Sequence, residues 1–275
     1  TGFEEALRNA QTADIIIAVV GEKWNMSGEA KARADISLPG MQEQLIKELV
    51  ATGKPVVVVL MNGRPLTIPW IAEHATAVVE AWLPGTMGGL AVADVLFGDY
   101  NPSAKLTMTF PRHVGQVPIF YNEKNTGRPF DPNNGYTSRY LDMPNTPQYP
   151  FGYGLSYTTF TYDSMMVARK DYSFSDTIIA TVNIKNTGSV AGEEIVQLYV
   201  RDLVGSVTRP LKELKGFEKI KLAPGESKKV TFKLTSKDLA FYTADMTFKA
   251  EPGAFWLMVG PDSERLQKKE IRLVQ

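Results

Sequence analysis

Asp14-Ile15-Ile16-Ile17-Ala18-Val19-Val20-Gly21 is answered further on by Pro55-Val56-Val57-Val58-Val59-Leu60-Met61. Each is a short apolar run rich in β-branched residues, the pattern of a strand buried on both faces. Between them, Met41 to Ala51 carries Leu45, Ile46, Leu49 and Val50 at helical spacing, with Gly53 as a stop signal. Working outward, residues 3–12 read as a helix with Phe3, Leu7 and Ala10 on one face. Ile68 to His74 reads as a short helix opened by Pro69, Thr76 to Leu83 as a third strand and Gly89 to Phe97 as a further helix. Strand and helix alternate, which predicts a parallel sheet with helices on both faces. Such a domain rarely begins with a helix, so its first strands are expected to lie outside this chain.

From about Thr161 the period changes to two. Ile178, Ala180, Val182 and Ile184 alternate with Thr177, Ile179, Thr181 and Asn183. Ile195 to Val200, Phe217 to Leu222, Val230 to Leu234 and Phe255 to Val259 add short strands, separated by turns such as Ala223-Pro224-Gly225. Roughly seven strands at this spacing predict a β-sandwich. Residues 99–160 lack either period and are rich in turn signals, while their many aromatics predict a packed rather than disordered segment. The chain is therefore drawn as an α/β domain over 1–110, an irregular connection over 111–161 and a β-sandwich over 162–275.

Composition narrows the function. Thirty Lys and Arg balance thirty Asp and Glu in 275 residues, which argues against a nucleic-acid binder. No apolar run approaches the roughly eighteen residues needed to span a bilayer. Without cysteine there is no disulfide, thiolate metal site or cysteine nucleophile. His74 and His113 have no partners at ligand spacing and read as surface or packing residues; no metal and no cofactor are expected. No Gly-x-Gly-x-x-Gly turn follows a strand, and no Gly-x-Ser-x-Gly elbow occurs, which disfavours a dinucleotide enzyme and a serine hydrolase.

One connection stands out. The loop between the first strand and Met41 holds about twenty residues, where two to six is usual. It carries Glu22, Lys23, Trp24, Glu29, Lys31, Arg33 and Asp35, and long loops at the carboxyl ends of parallel strands are where α/β folds keep ligand contacts. Leu38-Pro39-Gly40-Met41-Gln42-Glu43 follows it; then come Ala81-Trp82-Leu83-Pro84-Gly85, Ala93 to Ser103, Thr109-Phe110-Pro111, Tyr149 to Thr158 and Lys215-Gly216-Phe217.

This ordered series resembles the carboxyl-terminal part of family 3 glycoside hydrolases, especially bacterial periplasmic-type β-glucosidases, over essentially the whole chain. The resemblance implies an incomplete α/β/α sandwich followed by a fibronectin-III-like β-sandwich, with a (β/α)8-type barrel outside the chain. It implies a retaining hydrolase acting on a β-glucoside or oligosaccharide, with the nucleophilic aspartate on that barrel and the acid/base glutamate on this loop. Glu29, followed by Arg33 and Leu38-Pro39, matches the acid/base position; Glu22, at the strand end, is the second candidate. Retention needs two carboxyl groups about 5–5.5 Å apart, one of them protonated. Trp24 is a candidate sugar platform on the leaving-group side, or an anchor of the loop.

Two motifs depart from the family pattern: Met87 stands where an acidic residue is usual, and Pro102-Ser103-Ala104-Lys105 where Gly precedes the lysine. The resemblance implies a periplasmic or secreted bacterial protein, although a cysteine-free chain fits the cytoplasm as well. A homodimer is among the oligomeric options it leaves open. Without the barrel, the chain alone is expected to be inactive. The rival readings are a non-catalytic carbohydrate-binding or scaffolding module, and β-xylosidase specificity.

Overall fold

The computed structural model describes residues 2–275. They form two compact units. The first comprises the chain up to Tyr100 with 110–118 and 147–149; the second comprises 101–109, 119–146 and 150–275. The irregular segment is thus divided between the units instead of standing apart.

In the first unit, α1 (Gly2–Thr12), β1 (Ile16–Gly21), α2 (Gln42–Ala51), β2 (Val56–Met61), α3 (Pro69–His74), β3 (Ala77–Glu80) and α4 (Gly88–Phe97) follow in order. The strands make one parallel sheet in the order β1-β2-β3, with Ile16 opposite Val56 and Val57 opposite Ala77. Pro69 opens α3, and Gly98, at φ 85°, ends α4 in a conformation that glycine adopts without a Cβ clash. Leu7 and Ala10 of α1, Ile46 and Leu49 of α2 and Ile71 of α3 pack on Ala18, Val56, Val58 and Leu60.

The central strand meets the expectation of two-sided burial: Val56, Val58, Val59 and Leu60 are at most 1% exposed. The edge strand corrects it. Ile16, Ala18 and Val20 of β1 face the helices, but Ile17 and Val19 are 45% and 59% exposed. The reason is packing: the helices α1 to α3 contribute to a core on one face of the sheet, and Ile17 and Val19 point away from it. The apolar α4 is likewise open, with Gly88 its one buried residue and Leu90 and Phe97 exposed.

The second unit is a sandwich of β4 (Phe160–Tyr162), β5 (Met166–Val167), β6 (Asp171–Ser173), β7 (Ile178–Asn186), β8 (Gly192–Asp202), β9 (Glu213–Leu222), β10 (Ser227–Leu234), β13 (Gly253–Gly260) and β14 (Gln267–Val274). A hairpin of β11 (Phe241–Tyr242) and β12 (Phe248–Lys249) is added to it. One sheet runs β10-β7-β4 with β5 also on β7; the other runs β6-β14-β13-β8-β9. Ile178, Ala180, Val182 and Ile184 all point into the core, at most 2% exposed, as their period requires. β14 escaped the sequence reading because Lys268, Lys269 and Glu270 are exposed and only Ile271 and Leu273 are buried.

A buried ion pair ties the 101–109 segment into this unit. Lys105 Nζ lies 3.1 Å from Glu194 Oε2 and donates to the Gly154 carbonyl, while the Tyr162 hydroxyl donates to Glu194. The aromatics of the irregular stretch divide. Phe110 is buried and Tyr121 stacks on Phe151 at 4.2 Å, but Phe120, Phe130, Tyr136 and Tyr140 are exposed. The expectation of packing holds only where an aromatic meets one of the two cores.

Candidate active site

At the carboxyl edge of the parallel sheet, Gly21 ends β1, Asn62 follows β2 and Glu80 ends β3. The long loop springs from this edge. Both of its ends are stapled by one side chain: Gln42 accepts from the Gly21 amide at 2.7 Å and donates to the carbonyls of Gly21 and Pro39. Gly21 is required here. Its φ is 143°, and a Cβ would sit 2.0 Å from the Met61 carbonyl oxygen.

Glu22 lies inside the loop's base, with its side chain 1% exposed. Arg33 Nη1 donates to Oε1 at 2.8 Å, Arg64 Nε lies 2.9 Å from the same oxygen as an ion pair, and the Gly63 amide donates to Oε2 at 3.2 Å. Burial alone pushes this carboxyl up. The Arg33 hydrogen bond, the Gly63 amide and the Arg64 charge outweigh it and hold the carboxyl below its ordinary value of 4.5.

The two arginines also reach the loop backbone. Arg64 Nη2 donates to the Lys31 carbonyl at 2.8 Å and to the Met26 carbonyl, and Arg33 Nη2 donates to the Ser37 carbonyl at 3.3 Å. Gly63 lets the loop close on it, because a Cβ there would lie 1.9 Å from Ser27 Oγ.

Glu29 is placed differently. The Lys31 amide bonds the Gly28 carbonyl and closes a turn with Glu29 at its first corner and Ala30 at its second. Ala30 has φ 56°, a left-handed conformation that costs a non-glycine residue roughly 1–2 kcal/mol. Glu29 is exposed, and its side chain makes no hydrogen bond or ion pair among the described residues. Trp24 is 91% exposed. The structure therefore brings Glu22 and Glu29 into one loop but in opposite states, one clamped and one free.

Three residues that the sequence reading passed over complete the edge. Asn62 is fully buried; its Nδ2 donates to the Arg64 carbonyl at 2.8 Å and to Glu80 Oε2 at 3.3 Å. Burial pushes the Glu80 carboxyl up to about 7, against the Trp82 amide and Asn62, which donate to it. Arg64 joins Asn62 to the loop. The overlooked signal was Asn62-Gly63-Arg64-Pro65, which follows the second apolar run as Gly21-Glu22 follows the first.

The histidines serve local structure: His74 stacks on Trp70 at 4.2 Å, and His113 Nδ1 accepts from the Gly115 amide. Among the described residues, no three His, Cys, Asp or Glu gather as a metal site. No described helix is long and apolar enough to cross a membrane.

A parallel α/β unit with an anchored, charged loop at its carboxyl edge, continuing into a fibronectin-III-like sandwich, defines the carboxyl-terminal part of a glycoside hydrolase. The chain belongs to glycosyl hydrolase family 3: residues 1–157 match the family 3 C-terminal domain and 194–263 the fibronectin type III-like domain. It is 48% identical to a periplasmic beta-glucosidase of Salmonella typhimurium, over 99% of this chain and 36% of that protein. A beta-xylosidase of Formosa agariphila is 45% identical, over 99% of this chain and 37% of its own length. The beta-glucosidase from Listeria innocua, solved in complex with glucose, superposes with a TM-score of 0.95 at 42% identity, covering 99% of this chain and 38% of that one. The chain thus spans little more than a third of the length of these relatives.

Proposed function

We propose that this chain is the carboxyl-terminal portion of a retaining β-glucosidase and that its loop supplies the general acid/base, Glu29. The observation that carries the reading is the contrast within one loop. Glu22 is held ionised between two guanidinium groups, unsuited to donate a proton, whereas Glu29 is presented free on an anchored turn. In the first step Glu29 protonates the glycosidic oxygen as the C1–O bond breaks and an aspartate attacks C1. In the second, its carboxylate takes a proton from the water that releases the sugar. Arg33 and Arg64 are both engaged by Glu22, so neither guanidinium is paired with Glu29.

The aspartate is assigned to an amino-terminal barrel. Support comes from relatives nearly three times as long, and from the open apolar face of Ile17 and Val19, which a further segment would cover. Glucose as the sugar rests on similarity to the Salmonella and Listeria proteins; the Formosa relative favours xylose as a second reading. A periplasmic location rests on the Salmonella relative. Trp24 is assigned as the platform for the leaving group, since aromatic faces bind the apolar faces of sugars.

The test is Glu29→Ala and Glu22→Ala in the full-length protein, with one activated and one poor leaving group on aryl β-glucosides. Glu29→Ala is expected to spare the activated substrate, to lose the poor one and to regain turnover with azide. If Glu22→Ala behaves that way instead, the roles are reversed; if neither does, the loop only shapes the site. A chain without the barrel is expected to release no aglycone.

A further inference from the structure

We propose that Arg64 is a positioning residue for the reaction, holding the turn that presents Glu29 while touching neither substrate nor the reacting atoms. The inference rests on the reading of Glu29 as the acid/base. Its ground is the connectivity of one side chain. Arg64 Nη2 donates to the carbonyls of Met26 and Lys31, which bracket Glu29 in the chain. Its Nε meets Glu22, which also receives Arg33, so the same guanidinium ties the start of the loop to its middle.

Arg64 itself is fixed from behind. Asn62 Nδ2 donates to the Arg64 carbonyl, and Asn62 is buried and bonded to Glu80 at the end of β3. The contacts therefore run from the rigid sheet through Asn62 and Arg64 to the turn at 28–31. Without Arg64, the turn rests on the strained Ala30 and a single backbone hydrogen bond of 3.3 Å. A planar guanidinium is needed, because one ammonium group cannot meet the Glu22 carboxylate and both carbonyls in the fixed fork of arginine.

A displacement of about 1 Å in a catalytic group costs on the order of 10²-fold in rate. In the full-length protein, Arg64→Met is expected to lower kcat/KM for a poor-leaving-group aryl β-glucoside about 10²-fold. The loss on an activated one should stay below roughly tenfold, since proton donation matters little there. Arg64→Lys keeps a positive charge against Glu22 and is the variant to rely on if Arg64→Met fails to fold. It should show the same selective loss, at least about tenfold on the poor substrate.

Equal losses on both substrates in Arg64→Lys, or no loss, would overturn the proposal, because a purely structural role does not discriminate leaving groups. Glu29→Ala is measured alongside. If it shows the leaving-group signature and the Arg64 variants do not, only the positioning role fails. If Glu29→Ala itself lacks the signature, the acid/base assignment fails and takes this inference with it.

Discussion

Glu22→Gln tests the clamp at the base of the loop without any substrate. Glutamine keeps the shape of the side chain but removes the charge that faces Arg33 and Arg64, whose own side chains are only about a fifth exposed. Removing one partner of a buried ion pair costs about 3–5 kcal/mol, because the remaining charge stays desolvated. Partial exposure of both arginines moves the expectation to the low end, about 3 kcal/mol. The assay is urea unfolding followed by tryptophan fluorescence in a Trp256→Phe background. Trp70 and Trp82 then report on the first unit, and the exposed Trp24 contributes little.

The same variant makes a prediction in acid. The folded carboxyl lies below its ordinary 4.5, despite burial, because of Arg33, Gly63 and Arg64. A lowered carboxylate contributes stability that is present above the unfolded value and is lost as pH falls through the folded one. The gap between wild type and Glu22→Gln should be full near pH 7 and should close below about pH 4.5. A gap under about 0.5 kcal/mol at neutral pH, or one that persists in acid, would refute the clamp.

Glu80 should show the opposite slope. Burial raises its carboxyl from 4.5 to about 7, so the folded state holds the proton more tightly and stability falls as pH rises through that window, by at most about 3 kcal/mol. Glu80→Gln should flatten this part of the stability–pH curve; an unchanged slope would mean that Glu80 is already ionised. Trp24→Ala should leave stability within about 0.5 kcal/mol, since the ring is 91% exposed. In the full-length protein, on the proposed function, it should raise KM for aryl glucosides with little change in kcat, and unchanged KM would remove the platform role.

Much of the architecture was legible in residue order. The run Val56 to Leu60 and the alternation from Ile178 to Ile184 state their burial in their own periods, and both occupy the core as read. The loop before Met41 was conspicuous through its length and charges, and so were Glu22, Glu29 and Trp24 as its candidates. β1 looked like β2 in sequence, yet one face of it is open, because an apolar run does not say what will pack against each of its faces. β14 was hidden for the converse reason: an exposed charged start masks a strand in which only Ile271 and Leu273 are buried.

The different states of the two glutamates were beyond sequence altogether. Glu22 and Glu29 share a loop, a charge and neighbouring cations, and nothing local separates a clamped carboxylate from a free one. The separation comes from Arg33 together with Gly63 and Arg64, the last two far along the chain and carried by the parallel pairing of β1 and β2 to the same sheet edge as Gly21. Periodicity is a property of neighbours in sequence, so the chain alone marks the strands, helices and inward faces whose period is intact. Charge pairing depends on which strand ends the topology sets side by side, and only the tertiary structure decides that.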